Sequence, residues 1–248
     1  MAIERASVFV VRKVNFKDSD YVVTLFGREA GKFAGIAKGA RKLESKFGGV
    51  FDLLNLIEVV FYKGSGLEFI SEAELIENWE GVRSSGEAID TGLCCARVIN
   101  RLLEDGQRER KAYDLVKDTL ASLDESQGRP RVAELGFYLK FFRYLGYQPQ
   151  LRKCSSCGSP VEEGGSVRFS PEAGGIVCSD CSSGKGFPVS AGLRKVLLKL
   201  SETPQSGVKR LKVSENQLQE GFSLLDRFGQ YHFGQELISR TSSGAGPL

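Results

Sequence analysis

The chain has 248 residues, of which 41% are hydrophobic and 26% are charged, values typical of a soluble globular protein. This length admits one large domain or two to three small ones, with a core that does not depend on disulfides. The formal net charge of +3 is too small to indicate a polyanionic partner by itself. No apolar run reaches the length of a signal-peptide core or the roughly 18 residues of a membrane span, so we expect a cytoplasmic protein with no membrane partner.

The first 80 residues predict five short strands that are rich in β-branched and aromatic residues and are separated by polar or glycine-containing turns. The strands fall at residues 7–14, 21–26, 32–38, 53–62 and 67–73. No helix-length pattern lies between them, so residues 1–80 are expected to form a small barrel such as an OB-fold, with a small sandwich as the alternative. Residues 1–50 hold ten Lys and Arg against five Asp and Glu, whereas residues 51–80 hold one against seven.

The turn after the third predicted strand is a candidate nucleic-acid-binding loop. Between residues 38 and 46 it holds one acidic residue and four cations, Lys38, Arg41, Lys42 and Lys46. OB barrels bind nucleic acid across strands 2 and 3 and the neighbouring loops, with cations for the phosphates and aromatic rings for the bases. Arg12 and Lys13 on the first strand are expected to extend this surface, and Phe33 or Phe47 is a candidate stacking ring. Solvated charge and core packing are the alternative explanations of the same residues.

From about residue 85 the apolar residues recur at helical spacing. This pattern predicts an all-α helical domain, with a first part at residues 81–153 and a second part at residues 185–240. Cys94 and Cys95 are adjacent on the first helix, point about 100° apart and are expected to be buried thiols rather than a metal-binding pair.

The second part of the helical domain contains clear helix starts. Ser190 is expected to cap one helix, and Ser214 with Gln217 predicts a capping box for a last helix that reaches about Leu237. The tail at residues 241–248 is small and polar and is expected to be disordered.

Two C-x2-C pairs, Cys154 with Cys157 and Cys178 with Cys181, are separated by twenty residues. Structural Zn²⁺ takes four thiolates in a closed tetrahedron, and each such pair places two sulfurs on one side of the ion. The pattern predicts one structural zinc per chain in a ribbon at residues 154–184; a redox dithiol pair and an iron site are the alternatives. The expected fold class is therefore α+β and multidomain, with an N-terminal OB-fold β-barrel, an all-α helical domain and an inserted four-cysteine zinc ribbon.

No catalytic constellation is evident in the sequence. The one histidine, His232, has no nucleophile or carboxylate at a recognisable motif spacing, so a packing or capping role is expected. The G-x4-G-K-[ST] motif of nucleotide hydrolysis does not occur. A zinc hydrolase would need an open metal position, and four thiolate ligands leave none. We expect a protein that is not an enzyme.

Four segments stand out along the chain: TLFGREAGKFAGIAKGARK at residues 24–42, ELGFYLKFFRYLGYQPQLRKCSSC at 134–157, FSPEAGGIVCSDC at 169–181 and the last helix at 231–240. In this order and spacing they resemble the RecO family of recombination mediators over nearly the whole chain. The resemblance implies binding of single- and double-stranded DNA, annealing of complementary strands and, together with RecR, loading of recombinase onto gapped DNA in the bacterial nucleoid. Another nucleic-acid-binding factor with an OB-fold and a zinc ribbon, acting in transcription or translation, is the alternative.

The resemblance also implies that the helical domain binds the acidic C-terminal tail of single-stranded-DNA-binding protein. A tail that is acidic and ends in an apolar residue needs an apolar pocket with cations at its rim. The segment at residues 129–143 offers Phe137 and Phe141 for the pocket and Lys140 and Arg143 for the rim. A helix of this length is expected to bury one face, and both rings lie off the predicted buried stripe. Core packing is the alternative.

Overall fold

The structure is a computed structural model that describes residues 2–64, 66–125, 129–162 and 167–238. Its backbone contacts divide the chain into two compact units, which we call the barrel unit (residues 1–126) and the ribbon unit (residues 127–241). The helices predicted at 81–153 are thereby divided between the two units. The predicted tail at 241–248 lies outside the described residues. No helix in the described ranges has both the length and the apolar character that crossing a membrane requires.

Five strands of the barrel unit close into a barrel in the order β1-β2-β3-β5-β4. Their bounds are β1 Ile3–Phe16, β2 Asp20–Gly27, β3 Gly31–Ala37, β4 Leu56–Tyr62 and β5 Glu68–Glu77. A β-bulge between Val10 and Arg12 bends β1, so that its first half pairs with β4 and its second half with β2. The ring closes where the end of β3 pairs in parallel with Glu68 and Phe69 of β5. The predicted five-stranded, OB-like barrel is confirmed.

The barrel core is apolar and aromatic, because alternate residues of each strand point inward. The long segment between β3 and β4 adds Phe47 and Phe51, whose ring centroids lie 5.2 Å apart. Phe33 of β3 stacks on Phe61 of β4 at 4.6 Å. Phe33 and Phe47 are only 8% and 2% exposed, so the expectation that either ring is available to stack on bases is wrong.

Three helices of the barrel unit follow the strands: α1 Glu80–Arg83, α2 Gly86–Leu102 and α3 Arg110–Asp124. They cover part of the barrel, since Phe9 of β1 packs on Tyr113 of α3 with ring centroids 5.0 Å apart. Cys95 is fully buried on α2, as predicted. Cys94 is only half-buried, and its sulfur lies 3.9 Å from the Arg97 guanidinium.

The ribbon unit combines a small sheet with helices. Its elements are α4 Pro130–Tyr144, β6 Val167–Ser170, β7 Gly175–Cys178, α5 Ser179–Ser182, β8 Phe187–Val189, α6 Ala191–Glu202, a 3-10 helix Gln205–Arg210 and α7 Glu215–Phe233. β6 pairs antiparallel with β7 in a hairpin and with β8 on its other side. Ser190 caps α6 and Ser214 begins the predicted capping box of α7. α7 ends before the expected Leu237 because Gly234 adopts a left-handed conformation with φ of 68°.

α4 contacts α6, α7 and the 3-10 helix of the same unit and is buried on more than one face. Phe137 and Phe141 are completely buried, with ring centroids 5.4 Å apart. The expectation that these rings lie off the buried side is wrong, because the surrounding helices enclose α4. Lys140 is buried too, and its ammonium donates a hydrogen bond to Gln205 Oε1 at 3.0 Å. Burial, aided by the nearby charge of Arg143, lowers the pKa of Lys140 to about 8.

Candidate metal centre and nucleic-acid interface

The four cysteines of the two C-x2-C pairs converge in the ribbon unit. Cys154 and Cys157 lie in the loop after α4, Cys178 ends β7 and Cys181 lies in α5. Their sulfur atoms all lie within 4.8 Å of one another, and those of Cys157 and Cys178 are 3.9 Å apart. Sulfurs bound to one tetrahedral zinc at about 2.3 Å are about 3.8 Å apart, so the cluster has the size of a four-thiolate site. The structure therefore brings together the four residues that the sequence singled out.

The electrostatics of the cluster also fit a metal ion. Burial opposes ionisation of Cys154, but backbone N–H groups, including that of Cys178 at 3.4 Å, outweigh it and lower the pKa of the thiol to about 6. Hydrogen bonds from Ser159 lower the pKa of Cys157. The neighbouring side chains of Cys178 and Cys157 raise the pKa of Cys181 to about 12. Sulfurs this close ionise together only beside a cation, and a tetrahedral ion bound by all of them has no position left for a substrate.

Arg194 connects α6 to the loop that carries the first cysteine pair. Its guanidinium donates to the carbonyl oxygens of Leu151, Val161 and Glu162 at 2.9, 2.6 and 2.7 Å. These carbonyls flank the loop that carries Cys154 and Cys157, and Arg194 is only 6% exposed. Sequence reasoning did not indicate this structural role of Arg194, because backbone carbonyl acceptors leave no pattern in a sequence.

The basic loop, which we define as residues 38–46, packs on the turn between β1 and β2. The Arg41 amide donates to the Ser19 carbonyl at 2.9 Å, and its guanidinium donates to the Lys17 carbonyl at 3.1 Å. The Gly39 amide donates to Asp20 Oδ1 at 2.8 Å. These contacts hold the first half of the loop against the end of β1.

The basic loop also reaches β5. The Lys46 ammonium donates to the Ser71 carbonyl at 2.6 Å, and the Lys38 ammonium lies 5.6 Å from the centroid of the Phe69 ring. All of the predicted loop cations are exposed: Lys38, Arg41, Lys42 and Lys46. The loop therefore presents a group of cations to solvent on a segment that is held on two sides.

Arg12 and Lys13 do not extend this surface together, because adjacent residues of a strand point to opposite faces. Arg12 is exposed. Lys13 is half-buried, forms an ion pair with Asp52 at 2.7 Å and lies 5.2 Å from the Tyr21 ring. The Asp52 carboxylate offsets its charge, so Lys13 is a weaker candidate for a phosphate contact than Arg12.

Two exposed aromatic rings border the basic loop, and sequence reasoning missed both. Phe16 at the end of β1 is 37% exposed and Phe69 on β5 is 39% exposed. Lys17 lies beside the first ring, with its ammonium 5.4 Å from the centroid. Phe16 stands directly before a polar turn, a position that could have distinguished it from the core rings. Phe69 lies in an alternating strand and carries no such signal.

The residues of α4 predicted to bind a partner do not form a surface pocket. Phe137, Phe141 and Lys140 are buried, and of the predicted set only Arg143 is exposed. His232 has the packing role expected of it, since its ring lies 4.3 Å from that of Phe228. Burial lowers the pKa of this histidine.

These features define a class of protein in which an OB-type barrel with an exposed basic loop is combined with helices and a four-cysteine ribbon. Family models cover nearly the whole chain: Recombination protein O N terminal matches residues 1–79, and Recombination protein O C terminal matches residues 83–241. The chain therefore belongs to the RecO family, as its sequence motifs indicated. Membership of this family supports a role in DNA repair and recombination.

Individual relatives lead to the same family. The chain is 32% identical to the DNA repair protein RecO of Anaeromyxobacter dehalogenans over 235 aligned residues. The alignment covers 93% of this chain and 92% of that protein. Identity to the DNA repair protein RecO of Rubrobacter xylanophilus is 31% over 207 residues, covering 82% and 83% of the two chains. For the protein of the same name from Desulfatibacillum aliphaticivorans, identity is 29% over 237 residues, covering 93% and 92%.

Proposed function

We propose that this protein binds single- and double-stranded DNA through the basic loop of its barrel, anneals complementary strands and helps load recombinase onto gapped DNA in recombinational repair. One observation carries the proposal: a RecO-family chain exposes a group of cations on one loop of an OB-type barrel, at Lys38, Arg41, Lys42 and Lys46. Because the loop is held on two sides, little conformational entropy is lost when DNA binds.

Binding through the DNA backbone is suited to annealing. Lys and Arg contact phosphates whatever the base sequence and release condensed counterions. A strand held by its phosphates keeps its base edges free for a complementary strand, and neutralised phosphates repel that strand less. Pairing is favourable by itself, so this activity breaks no covalent bond and consumes no nucleotide. We therefore propose that the protein is not an enzyme.

We propose that the four cysteines hold one structural Zn²⁺ per chain. The strands of the ribbon have only four, four and three residues, too few to bury a large core of their own. Zinc bound by four thiolates supplies folding energy to such modules and offers no open position for a reaction. In this role the ion would join the loop after α4 to β7 and α5.

On the basis of the family, we also propose that the protein acts at the nucleoid in the bacterial cytoplasm and that it has two protein partners. One is RecR, which would act with this protein in loading recombinase. The other is the acidic C-terminal tail of single-stranded-DNA-binding protein. Because Phe137 and Phe141 are buried, we assign the tail to a surface of the helical region other than the predicted pocket on α4.

An annealing assay tests the proposed function. Complementary oligonucleotides coated with single-stranded-DNA-binding protein are mixed with the protein in the absence of ATP, and duplex formation is followed by fluorescence. We expect faster annealing with the wild type, and roughly tenfold less acceleration with the Arg41→Ala, Lys42→Ala double variant. The matched control is Arg5→Ala with Lys63→Ala, which removes two barrel cations that are already paired with Glu58 and Glu4. Absence of annealing by the wild type, with RNA binding retained, would instead favour a factor of transcription or translation.

A further inference from the structure

The exposure of Phe16 and Phe69 calls for an explanation. Phenylalanine rings are normally buried, because each removes a large apolar area from water when it packs. Here two rings remain 37% and 39% exposed, one on each of the two elements that hold the basic loop. Each also has an ammonium within about 6 Å of its centroid, the range of a cation–π interaction.

The two rings are fixed relative to the loop cations. Phe16 pairs with Asp20 across the hairpin whose turn accepts hydrogen bonds from Arg41. Phe69 pairs with Ile36 at the end of β3, two residues before Lys38. Phe16 is therefore next in the chain to a residue that holds the loop, and the Phe69 ring lies beside the ammonium of a loop lysine, Lys38.

A nucleotide combines the two properties that this surface complements, since it has a flat aromatic base and an anionic phosphate. We propose that Phe16 and Phe69 are base-stacking residues of a path for single-stranded DNA along the basic loop, an inference that rests on the proposed DNA binding. In the free protein the ammonium groups of Lys17 and Lys38 lie near the rings. When a strand binds, these ammonium groups move to phosphates and the rings become free for bases.

Stacking on these rings is compatible with annealing. A base stacked on phenylalanine uses its face and leaves its Watson–Crick edge open. The path therefore holds a single strand unpaired but ready to pair with a complementary strand.

The same barrel provides an internal comparison. Leu75 and Ile76 on β5 are 48% and 49% exposed, but their neighbours are Glu74 and Glu77. Apolar exposure is similar at both places, but ammonium groups lie beside the Phe16 and Phe69 rings, whereas carboxylates flank Leu75 and Ile76 on both sides. The acidic neighbourhood repels phosphates, so we assign the DNA path to the side with cations.

The contribution of stacking is measured by comparing the affinities of the protein for a dT oligonucleotide and for an abasic oligonucleotide of equal length, which keeps the phosphates but lacks the bases. We expect the wild type to bind the dT strand more tightly. Phe16→Leu and Phe69→Leu should each weaken dT binding about 5- to 150-fold, the range for loss of one base–aromatic stack, and leave abasic binding and its salt dependence unchanged. Leucine keeps the apolar bulk, and Leu75→Ala, on the acidic side, is the control expected to change neither affinity.

The outcomes distinguish this inference from the proposed function. If the wild type binds neither strand, the proposed DNA binding itself fails. If the wild type binds both strands alike, or if both leucine variants keep the full preference for dT, DNA binding stands and the stacking inference is overturned. Equal loss of dT and abasic binding in the variants also overturns it, because the rings would then act only by supporting the loop.

Discussion

The barrel unit and the ribbon unit differ in what keeps their functional residues in place. The barrel has a hydrophobic core drawn from all of its strands, and its candidate DNA contacts are cations on the surface of that core. In the ribbon the strands are very short, and the proposed zinc site would itself join the loop after α4 to β7 and α5. Changing a loop cation should therefore alter binding and spare the fold, whereas changing a cysteine should disrupt the fold locally.

The largest expected effect is that of Cys178→Ser. Structural zinc contributes on the order of 10 kcal/mol of apparent binding free energy in small modules, so loss of one thiolate should release the metal and unfold the ribbon. The measurements are the zinc content of the purified protein and hydrogen exchange of the amides in β6 and β7. The barrel strands should keep their protection.

Cys94→Ser is the matched control for this prediction, because it makes the same chemical change at a half-buried position of α2. It should leave the zinc content unchanged. A full complement of zinc in Cys178→Ser would contradict the four-thiolate site.

The next effect in size is that of Arg194→Met, which tests whether the ribbon needs support beyond the metal. The variant removes hydrogen bonds to the carbonyls of Leu151, Val161 and Glu162, and should destabilise the ribbon by about 2–5 kcal/mol. The measurement is the rate of zinc release to a chelator, which should rise as the ribbon opens more often. Arg131→Met is the control, because its exposed ion pair with Glu215 is worth only about 0–1 kcal/mol. Equal release rates in both variants would show that Arg194 does not support the ribbon.

A smaller effect concerns the helices of the ribbon unit and depends on pH. The pKa of Lys140 falls from 10.5 to about 8 on folding, so between these values the unfolded chain binds the proton that the folded protein lacks. The free energy of unfolding then rises with pH across this window, by at most about 1.4 kcal/mol per pH unit. Below about pH 8 the cost of burying the charged Lys140 side chain has its full size.

Lys140→Met should therefore lack this rise, so the wild type gains stability relative to the variant as the pH increases from about 8 to about 10.5. Urea denaturation at several pH values measures the difference. Lys195→Met, at an exposed position of α6, controls for the change in net charge. Parallel pH profiles of the wild type and Lys140→Met would contradict the burial of a lysine with a lowered pKa.

The comparison also explains which features the sequence could predict. The cysteine pairs, the caps at Ser190 and Ser214 and the alternation of the barrel strands are local patterns, whose physical cause lies within a few residues. The burial of Phe137 and Phe141 depends instead on α6, α7 and the 3-10 helix, which come more than 50 residues later in the chain. No periodicity within α4 itself carries that information.

The proposed DNA surface shows the same limit. The charge of the basic loop is evident from its composition, and its four cations are exposed in the structure. The contacts that hold the loop, from Arg41 to the Lys17 carbonyl and from Lys46 to the Ser71 carbonyl, join residues about 25 positions apart and involve backbone acceptors. Such acceptors occur at every residue, so the sequence could not indicate that Phe16 and Phe69 border the loop.

The central claim, that DNA binds the barrel by its basic loop and does not require the metal site, is tested by one salt titration of single-stranded DNA. Affinity is measured by fluorescence anisotropy for the wild type, for Arg41→Ala with Lys42→Ala, and for Cys178→Ser. The loop variant should bind more weakly at every salt concentration, with the slope of log K against log salt reduced by about 0.7 for each phosphate that the loop no longer neutralises. Cys178→Ser should keep the affinity and slope of the wild type. The opposite result, wild-type binding by the loop variant and loss of binding in Cys178→Ser, would contradict the claim and move the DNA site to the ribbon unit.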